Sequence, residues 1–349
     1  MSNIRRFFLR KLPSIFWLAS LTLVSVILGI FLVLLVTARA ETLQTSDSIV
    51  SALQPHLTVL REGYKNLLPD WFRIWFGHFS LQGLYVLIPV VMLLERFFPA
   101  NPQQKLISRG LKQDLVWFIF ITNIFSLTLY SILTSFLYIF FSENLGFLAI
   151  DIAKSWPLAM QVLAGFLLGD FMFWFSHLTR HRIRALWLFH SVHHSQKELN
   201  IFTDDRRHPV DDFVRLIITF FPMFIFQVSP SFAITFLGLI QSIHGRFVHA
   251  NVRANLGILG YLIVSPQFHR LHHSKETCHY DRNFGGVLSV WDYLFNTAHH
   301  AREEYPVTGV SDPYFPKAQR SSKALQYFIT FKKQIIYPFA QMLKKGGFI

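Results

Sequence analysis

The sequence predicts an all-α integral membrane protein with about four transmembrane helices, a re-entrant or short helical hairpin, and a histidine-rich helical cap in the cytoplasm. Of its 349 residues, 52% are hydrophobic and 38 are phenylalanine, which is too apolar for an ordinary soluble domain. Several apolar runs are long enough to cross a bilayer. Two short segments, each following an apolar run, contain eight histidines at helical spacing.

Four apolar segments are predicted to span the membrane. They are Leu12–Thr37, Phe79–Phe98, Asp114–Phe141 and Pro157–Ser176. The first segment also resembles a signal peptide with a weak cleavage site at residues 37–40, but its length favours an uncleaved helix. The basic N-terminus places the start of the chain in the cytoplasm, because positive charge is enriched on that side of membrane proteins.

The charges of the loops predict the orientation of the later spans. Residues 38–78 have balanced charges and two tryptophans, which suits an external loop with an interfacial segment. The connection Pro99–Gln113 is basic and is therefore predicted to be cytoplasmic, whereas Ser142–Trp156 is predicted to be external. The fourth span then returns the chain to the cytoplasm just before His177.

The apolar stretch Phe213–Ile243 is interrupted by Pro222 and Pro230. A single span here would separate the two histidine segments across the membrane. A re-entrant hairpin, or two short tilted spans, is therefore predicted, because prolines favour a break. Leu256–Val264 is too short to span and is predicted to be buried or interfacial.

Composition also limits the function. The net charge is +13, from 33 basic and 20 acidic residues, and in a membrane protein such charge usually contacts anionic headgroups. No nucleic-acid motif accompanies it, so no nucleic-acid partner is predicted. The single cysteine, Cys278, excludes an internal disulfide, a cysteine-based zinc finger and an iron–sulfur cluster held by this chain alone.

The eight histidines form one HxxxH motif and two HxxHH motifs. They are His177, His181, His190, His193, His194, His269, His272 and His273. Residues three and four apart share one face of a helix, so the outer pair of each motif can aim at one point. The middle residues, His193 and His272, are rotated around the helix and can reach a second point. The pattern predicts a dinuclear metal site with nitrogen ligands, which suits iron or zinc and leaves open positions on each ion.

Several further pieces accompany these motifs. Asp170 and Trp174 precede the first motif, Thr203-x-x-Arg206-x-His208-Pro209 follows the second, and Phe247-x-His249-Ala250-Asn251 and Trp291–Thr297 flank the third. Together they resemble the fatty acid hydroxylase superfamily of integral-membrane, non-haem di-iron enzymes, which includes sterol desaturases and alkylglycerol ether monooxygenases. The resemblance covers roughly Gly165–Thr297. Asn296 stands where that family usually has glycine, which concerns a turn.

The resemblance implies O2-dependent hydroxylation of a C–H bond in a membrane lipid such as a fatty acyl, sterol or ether lipid. It implies two iron ions (Fe2+/Fe3+) as cofactors, O2 as co-substrate, and His249 as a ninth ligand beside the eight motif histidines. Asp170 and Asn251 are the predicted catalytic residues, and Asp170 could orient a ligand imidazole through its far ring nitrogen. On this interpretation, residues 79–311 form the membrane di-iron hydroxylase domain. It is preceded by an N-terminal transmembrane helix and interfacial segment (1–78) and followed by a basic cytoplasmic tail (312–349).

The partners implied are the lipid substrate, the bilayer and an external electron-transfer protein. The chain has no flavin or dinucleotide fingerprint, so a cytochrome b5-like protein or a ferredoxin with its reductase would supply electrons. The expected location is the bacterial inner membrane or the endoplasmic reticulum, with the histidines facing the cytoplasm.

Two other functions agree with the same motifs. A lipid desaturase would use the same di-iron site, and a non-catalytic metal-binding or transport membrane protein would need only the ligands. Transport ligands are expected near mid-bilayer, however, whereas these histidines follow the ends of apolar segments. Three further histidines are left open. His208 could be structural or a ligand, His244 could support a ligand, and His279 could be an additional ligand.

A substrate tunnel is predicted between the fourth span and the hairpin. Its walls are expected to include Phe171, Trp174 and Phe175, which share one helical face, together with Phe220 and Phe224. Such an apolar tunnel would exclude water from the metal site.

Overall fold

The computed structural model shows a helical protein. It describes residues 87–121, 136–137, 139–150, 156–225, 230–301, 303–317 and 324–344. Within these ranges the backbone is helical or irregular, and β-structure is limited to isolated bridges such as Pro99 with Val252. The predicted all-α class agrees with this part of the chain. The predicted first span, Leu12–Thr37, lies outside the described residues.

The first two described helices share one hydrophobic core with later segments of the chain. Helix α1 covers residues 87–97, and α2 covers Arg109–Trp117. The hydroxyl of Ser108 caps α2 by accepting a hydrogen bond from the Leu111 amide at 3.1 Å. Apolar side chains of both helices pack against Ile201, Phe202 and Val252. This core joins α1 and α2 to the segment that follows the second histidine motif.

Helices α3 and α4 carry the first five motif histidines. Helix α3 spans Leu158–Arg182 and α4 spans Arg184–His194, with the single extended residue Ile183 between them. The turn at this residue brings the two histidine-bearing faces together. Among the described residues, Met160–Arg182 is the one helical stretch with the length and apolar composition to cross a membrane. The predicted fourth span is thus a helix that continues past Ser176 and includes His177 and His181.

The proline-interrupted stretch folds as two helices. Helix α5 covers Pro209–Ile225 and α6 covers Pro230–His249, and both pack against α3. Pro230 begins α6, whereas Pro222 lies within α5 without ending it. The start of α5 and the end of α6 both lie beside the histidines, so the pair returns the chain to the side from which it left. The two described helices agree with the helical part of the predicted hairpin, whose connection, residues 226–229, lies outside the described residues.

The third histidine motif lies on a short helix. Helix α7 covers Pro266–His272, with Pro266 at its first turn and Ser265 accepting a hydrogen bond from the Phe268 amide at 3.1 Å. Before it, the segment predicted to be buried or interfacial contains a 3-10 helix, Gly257–Tyr261, whose Ile258 and Leu259 side chains are exposed. Helix α8, Val290–Leu294, follows the third motif.

The predicted basic tail is part of the folded core. Helix α9, Ala324–Lys344, packs against α2 and α4. Its Gln334 accepts a hydrogen bond from the Trp117 indole at 3.0 Å, and its Phe331 ring packs edge-on against Trp117. Within the predicted tail, α9 thus buries a face that includes Tyr327, Phe331 and Tyr337, while its Lys332 and Lys333 are exposed. The domain boundary at residue 312 stays a prediction.

The loop charges predict that the two histidine segments and the α1–α2 connection face the cytoplasm. In a Cys278→Ser background, cysteines at the exposed positions Gln103 and Lys275 should react with a membrane-impermeant thiol reagent only from the cytoplasmic side. A cysteine at Ser46, outside the described residues, should react only from the other side. Permeabilised membranes serve as the control in which every site reacts. Labelling of the Lys275 position from the Ser46 side would contradict the predicted topology.

Candidate metal centre

Nine buried or half-buried histidines meet in the middle of the molecule. They form two clusters in which the ligand atoms lie within 4.8 Å of one another. The first cluster contains His177, His181, His190, His194 and His272. The second cluster contains His193, His249, His269 and His273. All eight motif histidines are thus brought together, and His249, predicted as the ninth ligand, lies with them.

The motifs are divided between the clusters differently from the simplest expectation. His193 belongs to the second cluster, as its rotation on the helix predicts. His272, the other middle residue, belongs to the first cluster, and the outer pair of its motif belongs to the second. Each of the adjacent pairs His193–His194 and His272–His273 therefore contributes one ring to the first cluster and one ring to the second.

In the first cluster, a hydrogen bond fixes which nitrogen of His177 is bare. His177 Nδ1 lies 2.9 Å from the carbonyl oxygen of Phe284, which only accepts, so Nδ1 carries the proton and Nε2 presents a lone pair. His190 Nδ1 lies 3.0 Å from a carboxylate oxygen of Asp211 and 3.1 Å from the donor Nη1 of Arg180, so its contacts allow either tautomer. The Nε2 atoms of His177 and His190 lie 3.1 Å apart. With the proton of His190 on Nδ1, both Nε2 atoms could serve as metal ligands.

His272 shows the same arrangement. Its Nδ1 donates to the carbonyl of Arg282 at 2.8 Å, so its buried Nε2 carries a lone pair, which has no hydrogen-bond partner among the described residues. In the second cluster, His249 Nδ1 donates to the Gly245 carbonyl at 2.6 Å. Its bare Nε2 lies 3.0 Å from that of His193 and 2.8 Å from that of His269. Nitrogens about 2.1 Å from a shared ion lie about 3.0–3.4 Å apart, so the spacing fits metal coordination.

Burial keeps the rings in the form that metals require. Removal from water lowers the pKa of the imidazoles of α4 and α7 well below the ordinary histidine value, and neighbouring imidazoles lower it further. These rings are His190, His193, His194, His269, His272 and His273. They are therefore neutral at physiological pH, and metal ligation needs the neutral imidazole.

Asp211 is a supporting residue that the sequence analysis missed. Its carboxylate accepts from Arg180 at 2.9 Å and lies 3.0 Å from His190 Nδ1, and all three side chains are buried. A carboxylate on the far nitrogen of a ligand histidine fixes the ring orientation and raises its basicity. An acidic residue in the first turn of a helix is common without any role in a site, so no sequence pattern distinguishes Asp211.

Asp170 supports a loop beside the first cluster. Its carboxylate accepts hydrogen bonds from the Val287 and Leu288 amides at 2.9 and 3.0 Å and from the Trp291 indole at 2.9 Å. These contacts hold in place the loop that follows Phe284, whose carbonyl accepts a hydrogen bond from His177. The catalytic role of Asp170 stays a prediction.

A second carboxylate completes this loop. Asp292 accepts from the Phe284 and Gly285 amides at 2.8 and 2.7 Å, and from Trp174 and Thr297. Close packing requires glycine in the loop, since a Cβ on Gly286 would lie 2.6 Å from the Phe173 ring. Carboxylates at both ends of the loop therefore position the backbone carbonyl that orients a ligand.

Asn251 lies outside both clusters, and its catalytic role stays a prediction. It is buried, and its side chain exchanges hydrogen bonds with the backbone of Asn101, at 2.9 Å to the amide and 3.1 Å to the carbonyl. Its own amide donates to Glu95 at 3.0 Å. Asn251 therefore joins the end of α6 to the α1–α2 connection. Its side-chain amide makes the hydrogen bonds with Asn101 and does not lie in either cluster.

The three histidines left open by the sequence lie outside both clusters. His208 Nε2 donates to the Ile335 carbonyl of α9 at 3.0 Å and is structural. Burial lowers the pKa of His244 to about 4, and its Nε2 has no hydrogen-bond partner in the described part of the chain. His279 contacts Ser274 and Glu304, so it is not a ligand of the central clusters.

A cavity of about 400 Å3 opens onto the first cluster. It reaches His181, His194 and His272, and its other walls include Trp187, Ser191, Tyr280, Ser311 and Phe315. It therefore lies between α4 and the segments around residues 280 and 311. Ser191 also lines the cavity, together with the charged residues Arg184 and Asp312.

Several residues predicted to line the apolar tunnel pack against other rings in the structure. Phe171 packs on Trp291 at 5.3 Å, and Trp174 stacks on Phe295 at 4.6 Å, so these rings are covered by other side chains. Phe224 is buried against Phe141. Trp174 and Phe224 are therefore packed against other rings, and the tunnel stays a prediction. The aromatic face forms a packed core, because α8 and the residues after it cover it.

Comparison with known proteins identifies the central domain. Residues 162–297 match the family described as fatty acid hydroxylase. The resemblance noted from the histidine motifs is thereby confirmed. No solved structure matches the chain.

Two curated relatives are similar to part of the chain. The ornithine lipid hydroxylase OlsE of Rhizobium tropici is 30% identical over 145 residues, which are 42% of this chain and 44% of that protein. The human alkylglycerol monooxygenase is 30% identical over 188 residues, which are 52% of this chain and 38% of that protein. The chain thus spans less than half the length of these relatives.

Substitution of Asp211 tests its support of the first cluster. Asp211→Asn keeps the shape but replaces the acceptor charge, so metal affinity should fall by about 10- to 100-fold. Retention of metal during dialysis against graded chelator measures the change. The matched control is Asp212→Asn, because Asp212 pairs with Arg207 and Arg215 instead of a histidine. Equal retention in both variants would show that the carboxylate does not support the ligand.

Proposed function

We propose that the protein is a membrane-bound, non-haem di-iron lipid hydroxylase, a monooxygenase that converts a C–H bond of a membrane lipid to C–OH. The observation that carries this proposal is the pair of buried histidine clusters whose potential ligand atoms lie within 4.8 Å of one another. The names of the relatives, a lipid hydroxylase and a monooxygenase, support the reaction class.

The donor set favours redox-active iron. Every ligand is a neutral imidazole, and the first cluster adjoins a cavity that leaves room for co-substrate and substrate. Bound iron would supply the activation of O2. In balance, R–H, O2, two electrons and two protons give R–OH and water. The two electrons must come from an external protein, because the chain carries no flavin or dinucleotide fingerprint.

The residues of the chain would then have separate tasks. The nine histidines would hold the ions, the carbonyls of Phe284, Arg282 and Gly245 would keep three of the rings in the ligating tautomer, and Asp211 would orient the His190 ring. The cavity would admit the lipid carbon to the first cluster and hold it within a few ångströms of the ions. Its aromatic walls, including Trp187 and Phe315, would limit access of water.

The proposed location is a membrane, with several spans and the histidines on the cytoplasmic side. Helix α3 is apolar enough to cross a bilayer, and large apolar side chains such as Ile258, Leu259 and Leu294 are exposed. The bacterial inner membrane or the endoplasmic reticulum would provide the lipid substrate and the electron donor. Comparison of lipids from cells with and without the gene would identify the substrate, and its product would separate hydroxylation from desaturation.

Metal content provides the first test. Protein purified with iron supplied should contain about two iron ions per chain, because the ligands form two clusters. His193→Ala, in the second cluster, and His194→Ala, in the first, should each lose iron and abolish turnover. His208→Ala is the control, since His208 is buried but outside both clusters. One metal ion per chain, or full activity in His193→Ala, would contradict the di-iron site.

The cavity provides the second test. Ser191→Phe fills the inner wall beside the first cluster and should reduce turnover by at least about tenfold while iron content stays unchanged. Val307→Phe adds comparable volume at an exposed position that does not line the cavity, and it should leave turnover unchanged. If Ser191→Phe retains both the wild-type rate and the wild-type product, the substrate reaches the metals by another route.

A further inference from the structure

We propose that His279, His299 and Glu304 form a third, peripheral cation site that binds a zinc ion and clamps helix α7. The site is separate from the two central clusters, and its potential ligand atoms lie within 4.8 Å of one another. His279 Nε2 lies 3.1 Å from a carboxylate oxygen of Glu304, and the rings of His279 and His299 lie 4.7 Å apart, nearly perpendicular.

The chemistry of the three side chains favours zinc among the biological divalent ions. Two imidazoles and one carboxylate form a ligand set that Zn2+ uses at tetrahedral sites, with water in the fourth position. Calcium and magnesium prefer oxygen ligands, so nitrogen donors disfavour them. His279 is buried, whereas the Glu304 side chain is 54% exposed, so an ion can reach the site from solvent without passing the central clusters.

Hydrogen bonds to other residues position both histidine ligands. His279 Nδ1 lies 2.9 Å from the hydroxyl of Ser274, which leaves Nε2 to face Glu304. A hydrogen bond to the second nitrogen is the usual support of a ligating histidine. The backbone amide of His299 donates to the side chain of Asn283 at 2.7 Å, which places the His299 ring beside His279.

The same supports lead to helix α7. Ser274 follows His273 directly, and Asn283 donates to the Phe268 carbonyl of α7 at 2.9 Å. Gln267, also on α7, donates to the Glu304 carbonyl at 3.2 Å. All three ligands are therefore connected to the helix that carries His269 and His272. An ion bound by them would hold three loop segments against α7 and stiffen the third histidine motif.

The site is tested by counting metals in the full-length, iron-loaded protein. After equilibration with zinc, wild-type protein should bind about one zinc ion per chain while its iron content stays unchanged. The double variant His299→Ala/Glu304→Gln should bind none at this site and should keep the same iron content, which shows that the central clusters remain folded. The control His300→Ala removes a neighbouring histidine outside the site and should bind zinc like the wild type.

Thermal unfolding gives an independent measurement. Zinc should raise the midpoint of the wild type and of His300→Ala, because a ligand that binds only the folded state stabilises it, and it should leave the double variant unchanged. Equal zinc content in the wild type and the double variant would overturn the proposal. So would uptake of zinc matched by an equal loss of iron, because the zinc would then occupy the central clusters. In either case His279 and Glu304 form an ordinary hydrogen-bonded pair.

Discussion

Nine neutral imidazoles meeting in a buried space are the constraint on which the rest of the structure depends. Hydrogen bonds from Nδ1 to backbone carbonyls leave a lone pair on the Nε2 atoms of His177, His249 and His272, which face into the clusters. The protein must therefore supply rigid supports strong enough to hold the rings in that geometry before metal arrives. Backbone carbonyls and the Asp211 carboxylate provide this support at low cost, because each also satisfies its own hydrogen bond.

Buried polar residues also hold the surrounding scaffold. Asp114 accepts from Arg206 at 2.6 Å and from Thr203 and Asn200, and Arg206 in turn contacts Gln334 of α9. Loss of one partner from such a buried pair costs about 3–5 kcal/mol, because the other charge remains buried. This network joins α2, the segment after the second histidine motif and α9 into one support behind α4. The Thr203–Pro209 segment thus serves the site through packing and does not supply a ligand.

The histidine spacing predicted most of the site because helical periodicity alone brings residues three and four apart to one face. The division between clusters was not predictable, since the assignment of His272 depends on how α7 lies against α3 and α4. Phe284 left no signal, because its contribution is a backbone carbonyl, which every residue has. Asp114 was predicted to begin a membrane span. The segment that contains α9 was predicted only as a basic cytoplasmic tail, because its basic residues obscured the apolar face of the helix. Asn296 was identified as a turn residue, and its left-handed backbone, with φ of 55°, agrees.

The adjacent pairs His193–His194 and His272–His273 have a consequence for assembly of the centre. Each pair contributes one ring to either cluster, with ring centres 5.6 and 5.4 Å apart. Ordering the backbone of either pair for one ion also places a ligand for the other. The free energy of binding the first ion thus includes the conformational entropy lost when the ligands of both clusters become ordered. The second ion then binds to ligands that are already ordered. The centre should therefore fill cooperatively, and chains with a single ion should be a minor species during metal loading.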